Sequence, residues 1–544
     1  MTSVTDRSPT TPMDRPAAAF SDADPGWPRG NVSSSTRYLC SAPYLRESMI
    51  PRKAIDASKR PKDRKKESLV VGRAFCRLAL SSSALVNQMT AVDVAQVVHH
   101  AHIGWYQARV RDIMLCGFTL ASLVLAPFGT VVWLLLYASV LMLPRMRKRW
   151  RRYRRRITGL LALGAAAVAT ATFSGDSEAK SLITPLFALA GCLTVYLGDA
   201  VVSWFQIRRV PRSLGRAPAS RFRRGSLGAG LAEANNAVYE NVVAYERDRV
   251  VGMGEPRGKH ILSVPIDEPE KGETVKPFLA SDLLHFIARH VRNQGVADPV
   301  THGLPDLQVG EVLARPLRMM PDAPRLIDAT RLRGALTSPP SGSAERVYMR
   351  AQATSWGGEV VGTIFVSVAL EGRFLRLVVL PYVLGPIAPE LRAADAVYKR
   401  NLLMHLALSP ALALREFRLA VLTARAHVAA LAPRSPSRQE QQQRARTLAD
   451  EEPREARTLR ERYSVDAKED LHQAEDGVRM IQVMEQRVFA VTETFLRDHN
   501  IATHQFQQQV SQVLNSYVII GDNNNMAASP NAQAGDHNVN VGTN

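Results

Sequence analysis

Three groups of residues carry types that could do chemistry. Residues 252–260 (GMGEPRGKH) set glycines beside a lysine, as a loop that cradles phosphate with backbone N–H groups would. The spacing fails, because Met253 stands five positions before Gly258 where the loop needs glycine, and His260 stands where Ser or Thr would hold magnesium. The dinucleotide pattern fails too, since Arg257 occupies the third position after Gly254. His99, His100 and His102 are metal-ligand types, but no acid or cysteine sits at a helical offset among them, so a partly exposed helix is expected there. Neither GxSxG nor HExxH occurs, although a triad assembled from distant positions stays open. The expectation is a chain that is not an enzyme, with no catalytic, cofactor or metal residues and no cofactor.

The third group is a single carboxylate. Asp199 lies inside the apolar run 182–205, and an ionisable side chain at membrane depth is a candidate proton carrier or ion ligand. Six residues of helix separate it from Phe205, about 9 Å, so water or an arginine of the 208–212 cluster could reach it. Interfacial pairing is therefore expected, with transport as the alternative. Trp356, Gly357, Gly358 and Glu359 could bind something, but a glycine pair between strands favours a turn.

These residues sit on elements with a clear order. Residues 113–143 carry no charge and would run about 46 Å as one helix, longer than the roughly 30 Å hydrocarbon core. Pro127 and Gly129 would break them into a hairpin or a re-entrant loop. Residues 157–173 and 182–205 are apolar on either side of the polar loop 174–181, and read as two spanning helices. The block 113–205 thus has four crossings, or two plus a re-entrant hairpin. Nine of the twelve residues 145–156 are Lys or Arg, and seven arginines follow between 208 and 224. By the positive-inside rule both flanks are cytoplasmic, which makes a multi-pass cell-membrane protein with both termini inside. Arg145, Arg147, Lys148 and Arg149 are the candidate contacts to anionic lipid headgroups.

The formal charge of +19 is concentrated in such runs, and no nucleic-acid motif accompanies it, so lipid rather than nucleic acid is the expected partner. Four scattered cysteines, Cys40, Cys76, Cys116 and Cys192, give no disulfide framework. Residues 1–65 read as a disordered basic arm, 66–112 as a helical juxtamembrane segment and 206–229 as a basic linker.

Residues 230–432 have the texture of a cytoplasmic α+β domain. Strand-like runs occupy 241–251 and 260–266. Leu283, Leu284, Ile287 and Val291 predict a helix over 280–294. Alternation over 346–355, 359–370 and 373–383, with glycines at both junctions, predicts an antiparallel meander. Residues 433–465 read as a charged, solvated linker or a charged helix and 466–515 as amphipathic helices, with Val478, Ile481, Met484, Val488, Val491 and Phe495 forming one apolar stripe. Packing on the chain's own domain and self-association are both open for that stripe.

The stretches RVYMRAQATSWGGEVVGTIFVSVALEGRFLRLVVLPYVLGPIAPELRAAD (346–395), STRYLCSAPYL (35–45) and NVVAYERD (241–248) together resemble a family of uncharacterised actinobacterial membrane proteins. The resemblance implies a basic N-terminal arm, membrane hairpins and a cytoplasmic domain, and implies no activity. The tail 516–544 repeats Gly-Asp-x-Asn at 521–524 and 535–538 beside short runs read as strands, VII and VNV. It resembles short amyloid-type signalling motifs of bacterial proteins. Asn523, Asn524 and Asn538 would stack as hydrogen-bonded ladders between copies, or the tail is a disordered polar terminus. The function expected from all this is a membrane-anchored scaffold or signalling component with an unknown cytoplasmic protein partner or ligand and a self-assembling, homo-oligomeric tail. A small transporter or channel and a membrane-tethered enzyme are the alternatives.

Overall fold

A computed structural model describes residues 33–46, 92–125, 177–213, 241–297, 304–337, 344–404, 458–465 and 471–520, with short breaks in some stretches, and Met49, Phe75, Cys76 and Ala79. Eight strands form one mixed sheet: β1 (Val242–Glu246), β2 (Arg249–Val250), β3 (Glu255–Pro256), β4 (His260–Pro265), β5 (Gln308–Pro316), β6 (Arg346–Ser355), β7 (Val360–Glu371) and β8 (Phe374–Leu384). Their order is β2-β1-β5-β6-β7-β8-β3, with β4 also on β8. β1 and β5 are parallel, and the other pairs are antiparallel. The expected meander is β6-β7-β8, and the expected runs at 241–251 and 260–266 contain β1, β2 and β4. The sequence reading missed β5, which lies inside the sheet.

The sheet has to curl. From Val250 to Glu255 the chain can span at most about 18 Å. In a flat sheet the six spacings between β2 and β3 would separate them by about 29 Å. The loop that joins them therefore draws the two edges together. The contacts agree: Val243 and Val250 from one end pack with Met253, Phe365 and Tyr382 from the other in a single cluster, and the Val250 amide donates to the Tyr382 hydroxyl at 3.2 Å. The face carrying this cluster is the concave one.

Helices cover the convex face. Leu283, Leu284, Ile287 and Val291 of α4 (Ala280–Ala297) are buried there, as their spacing predicts. Ile481, Met484, Val488, Val491 and Phe495 of α8 (Leu471–Asp498) are buried against Ile364, Leu377 and Val379, so the apolar stripe docks within its own chain. The approach is close: a Cβ on Gly477 would lie 2.9 Å from Val383 Cγ1. On α9 (His504–Ile520), Gln509 accepts from the Ser263 amide at 3.0 Å and donates to its carbonyl at 2.8 Å, which satisfies an exposed strand edge. Helix α9 includes residues 518–520, the VII run read from the sequence as strand. A short helix α5 (Ala329–Thr337) lies against β5 and β6, and Leu332 enters the core around β1 and β5.

A second, helical core is built from α1 (Ser34–Ser41), the first turns of α2 (Val94–Leu125), the last turns of α3 (Ser177–Ser213), α6 (Pro389–Lys399) and α7 (Leu459–Arg462). Leu39, Tyr44, Val97, Ala101, Trp204, Ile207, Leu391, Val397 and Tyr463 fill it. Three segment expectations are corrected here. Residues 34–44 of the supposed arm are helical, and most of their side chains are buried. Helix α3 continues from the expected last membrane segment into the supposed 206–229 linker, and within 433–465, expected as a solvated linker or charged helix, Thr458, Leu459, Arg460, Glu461 and Tyr463 are buried at a short helix. In each case apolar side chains, such as Leu39, Ile207 and Leu459, have found a shared core that no local pattern announces.

Of the expected membrane block, residues 126–176 lie outside the described residues, and so do Pro127, Arg145, Arg147, Lys148 and Arg149. Among the described residues one stretch, Ala190–Pro211, is long and apolar enough to cross a membrane, and 39% of its most apolar window is buried against the protein. The multi-pass count rests on the residues outside. Asn523, Asn524 and Asn538 also lie outside the described residues.

Candidate functional site

Helices α2 and α3 run antiparallel. Gln107 meets Asp199 and Ser203, Arg111 meets Asp199, and a Cβ on Gly191 would lie 2.7 Å from the Phe118 ring, so paired positions sum to a nearly constant value. Asp199 is the centre of this contact. Arg46 grips its carboxylate with two bonds, Nε to Oδ2 at 2.8 Å and Nη2 to Oδ1 at 2.9 Å. Arg111 adds Nη1 to Oδ2 at 3.0 Å, and Gln107 adds Nε2 to Oδ1 at 2.9 Å. The Asp199 side chain is 4% exposed. Its partners thus come from Arg46 and Arg111 instead of the 208–212 cluster. Arg208 of that cluster lies over the rings of Trp204 and Tyr398, at 5.0 and 5.8 Å.

Beyond this contact the helices change character. Ile113, Met114, Phe118, Leu120 and Val124 of α2 are exposed, and residues 113–125 bear no charge. The buried polar knot therefore sits between a helical root packed in the second core and an apolar extension of α2 that exposes several large side chains.

The turn at Trp356–Glu359 is the joint between the two cores. Trp356, Gly357 and Gly358 all take positive φ, which explains the glycine pair. Ser35 Oγ of α1 donates to the Gly358 carbonyl at 2.8 Å. Trp356 Nε1 donates to Asp476 of α8 at 2.8 Å, and Arg392 of α6 donates to Glu359 at 2.6 Å. Arg460 of α7, fully buried, donates to the carbonyls of Glu359 and Gly385 at 2.7 and 2.8 Å. Burial pushes Arg460 down to about 10, while the neighbouring carboxylates pull it up, so it stays charged at neutral pH.

The GMGEPRGKH stretch is the strap that closes the sheet. Gly252, Gly254 and Gly258 have positive φ, and a Cβ on Gly254 would lie 2.3 Å from the Val383 carbonyl oxygen. The Gly254 amide donates to Glu461 at 3.0 Å. These glycines therefore serve backbone geometry. His100 is buried and hydrogen-bonded to the Tyr44 hydroxyl at 2.9 Å, and burial pushes it down to about 3. His99 and His102 flank it on α2, and no group of three or more metal-ligating side chains gathers among the described residues.

The concave face holds a feature the sequence reading did not single out. Gln352 on β6 pairs directly with Thr363 on β7, and Arg350 pairs with Phe365. Directly paired residues share a face, so Arg350, Gln352 and Thr363 lie on the same side as Phe365 and Tyr382. Gln352 Nε2 and Thr363 Oγ1 are buried and make no hydrogen bond. Arg350 is half-buried, and burial lowers its pKa with no carboxylate among the described residues to oppose the shift. On its other side Arg350 pairs with Gly310, where a Cβ would meet nothing within 4 Å.

Residues 259–526 match a family model described as an AbeC-like domain, an uncharacterised family. The match takes in β4 through β8 and the helices on the convex face, just under half of the chain, and leaves out α2 and α3. No curated protein and no solved structure matches the chain.

Proposed function

We propose that the chain is a membrane-anchored scaffold or signalling component, in which the curled-sheet domain binds a ligand or protein partner beside the cytoplasmic face of the cell membrane. The observation that carries this reading is the α2–α3 pair, antiparallel and locked at its root by Asp199, with Ile113, Met114, Phe118, Leu120 and Val124 of α2 exposed beyond it. A helix that is apolar all round belongs in a protein core or in a bilayer. On the far side of Asp199, residues 182–198 of α3 carry no charge and would run about 26 Å, near the roughly 30 Å of a bilayer core.

On this reading Arg145, Arg147, Lys148 and Arg149 meet anionic headgroups, worth about 1 kcal/mol per basic side chain near the surface. The block makes four crossings, or two with a re-entrant hairpin, and both termini are cytoplasmic. The likeness of residues 346–395 to actinobacterial membrane proteins supports the same order of parts, and the tail around Asn523, Asn524 and Asn538 would join copies. No catalytic role is proposed. The clamp on Asp199 favours anchoring over transport, because a carboxylate gripped by two guanidiniums is poorly placed to exchange protons. Washing membranes with alkaline carbonate tests the anchor: the full chain should stay in the pellet, and its release to the supernatant would contradict the reading.

A further inference from the structure

We propose that the concave face of the sheet is a binding site for a small oxyanion, a phosphate or carboxylate group on a compact molecule, with Arg350 as the anchoring charge and Gln352 and Thr363 as neutral contacts. The proposal rests on the reading of this domain as a binding domain, and is independent of the membrane anchor.

Arg350, half-buried, differs from four arginines that are buried. Arg46 and Arg111 hold Asp199, Arg315 holds Glu345 at 2.5 Å, and Arg460 holds two backbone carbonyls. Arg350 has no such partner among the described residues, yet it lies on an inner strand and on the inward side of a curled sheet. A guanidinium keeps its charge under almost any burial, so a partly desolvated one there is free to gain from an anion that meets it. The neighbouring rung repeats the pattern. Gln352 is 2% exposed and Thr363 1%, and leaving a buried polar group unmatched costs about 1–3 kcal/mol each. Three polar groups without partners on adjacent rungs of one face form a cluster that a ligand could satisfy together.

The same rungs provide room and a floor. Gly310, opposite Arg350, leaves open space where any other residue would place a side chain on this face. Phe365 and Tyr382, both almost fully buried, stand edge to face with ring centroids 5.8 Å apart and close the other side. A planar guanidinium presents paired N–H groups that match phosphate or carboxylate oxygens, the amide of Gln352 can donate, and the Thr363 hydroxyl can donate or accept. The Asp306 carboxylate, at the next same-face rung beyond Gln352, accepts from Thr354 at 3.2 Å.

The test titrates the full chain in detergent with inorganic phosphate, glycerol phosphate and acetate, reading thermal shift and calorimetry. A second arm measures binding to nanodiscs with and without phosphatidic acid. At least one anion should stabilise the protein saturably. Arg350→Met should weaken that binding at least tenfold, about 1.4 kcal/mol. Gly310→Val, which fills the open space but keeps the arginine, should weaken it as well without lowering the melting temperature of the unliganded protein. Preference for glycerol phosphate would identify a soluble ligand, and preference for phosphatidic acid a lipid headgroup. No saturable response to any anion or to phosphatidic acid overturns the proposal, and so does an equal response in the Arg350→Met protein, which would assign binding to the basic runs. Release of the protein by alkaline carbonate would leave this titration unaffected.

Discussion

Removing the Asp199 carboxylate would leave Arg46 and Arg111 as like charges in one buried site. Breaking a buried ion pair by deleting one partner costs about 3–5 kcal/mol. Asp199→Ala should therefore destabilise the protein by that order, and Arg46→Met by less, because Arg111 remains to balance the acid. In the double variant the costs should fall well short of their sum, since the residues share one network. Denaturant melts of the detergent-solubilised protein measure all three, and simple additivity would show that the contact is not a coupled unit. Asp199 could be picked out of the sequence by its type and its apolar surroundings. Its partner could not, because Arg46 lies 153 positions away and no spacing rule connects them. Arg350 escaped notice for a different reason: a lone arginine in an alternating strand reads as the solvent side of a half-buried sheet, and only the curl turns that side inward.

At the scale of elements, the legible parts were those whose pattern is local. The meander showed in its alternation and its glycine turns, α4 in four leucine, isoleucine and valine residues at helical spacing, and α8 in its apolar stripe. Strand β5 did not show, because Gly310, Glu311 and Arg315 interrupt its apolar run, and β2 and β3 are two residues each, too short for any periodicity. What α8 packs against was equally hidden, since a stripe of this kind serves a sheet or a second helix alike. Met484 is fully buried in the sheet core, so Met484→Ala should cost about 2–5 kcal/mol, with a melting temperature independent of protein concentration. A melting temperature that rises with concentration would mean that the stripe is also shared between copies.

At the scale of the molecule, the two cores are joined at the Trp356–Glu359 turn and carried on a helix pair whose α2 arm exposes Ile113, Met114, Phe118, Leu120 and Val124. The sequence supplied the apolar runs and the charge asymmetry that set an orientation, but not the helical root, because its members come from residues 35–45, 94–101, 204–210, 387–397 and 459–463. The central claim is that this pair enters a bilayer and returns. The direct measurement is accessibility of single cysteines, in a background without the four native ones, to a membrane-impermeant thiol reagent in intact cells. A cysteine at Ser177 should label from outside, while one at Ser220, beyond the end of α3, should label only after the cells are opened. Labelling of both positions only after opening, with the protein recovered in the soluble fraction, would contradict the account.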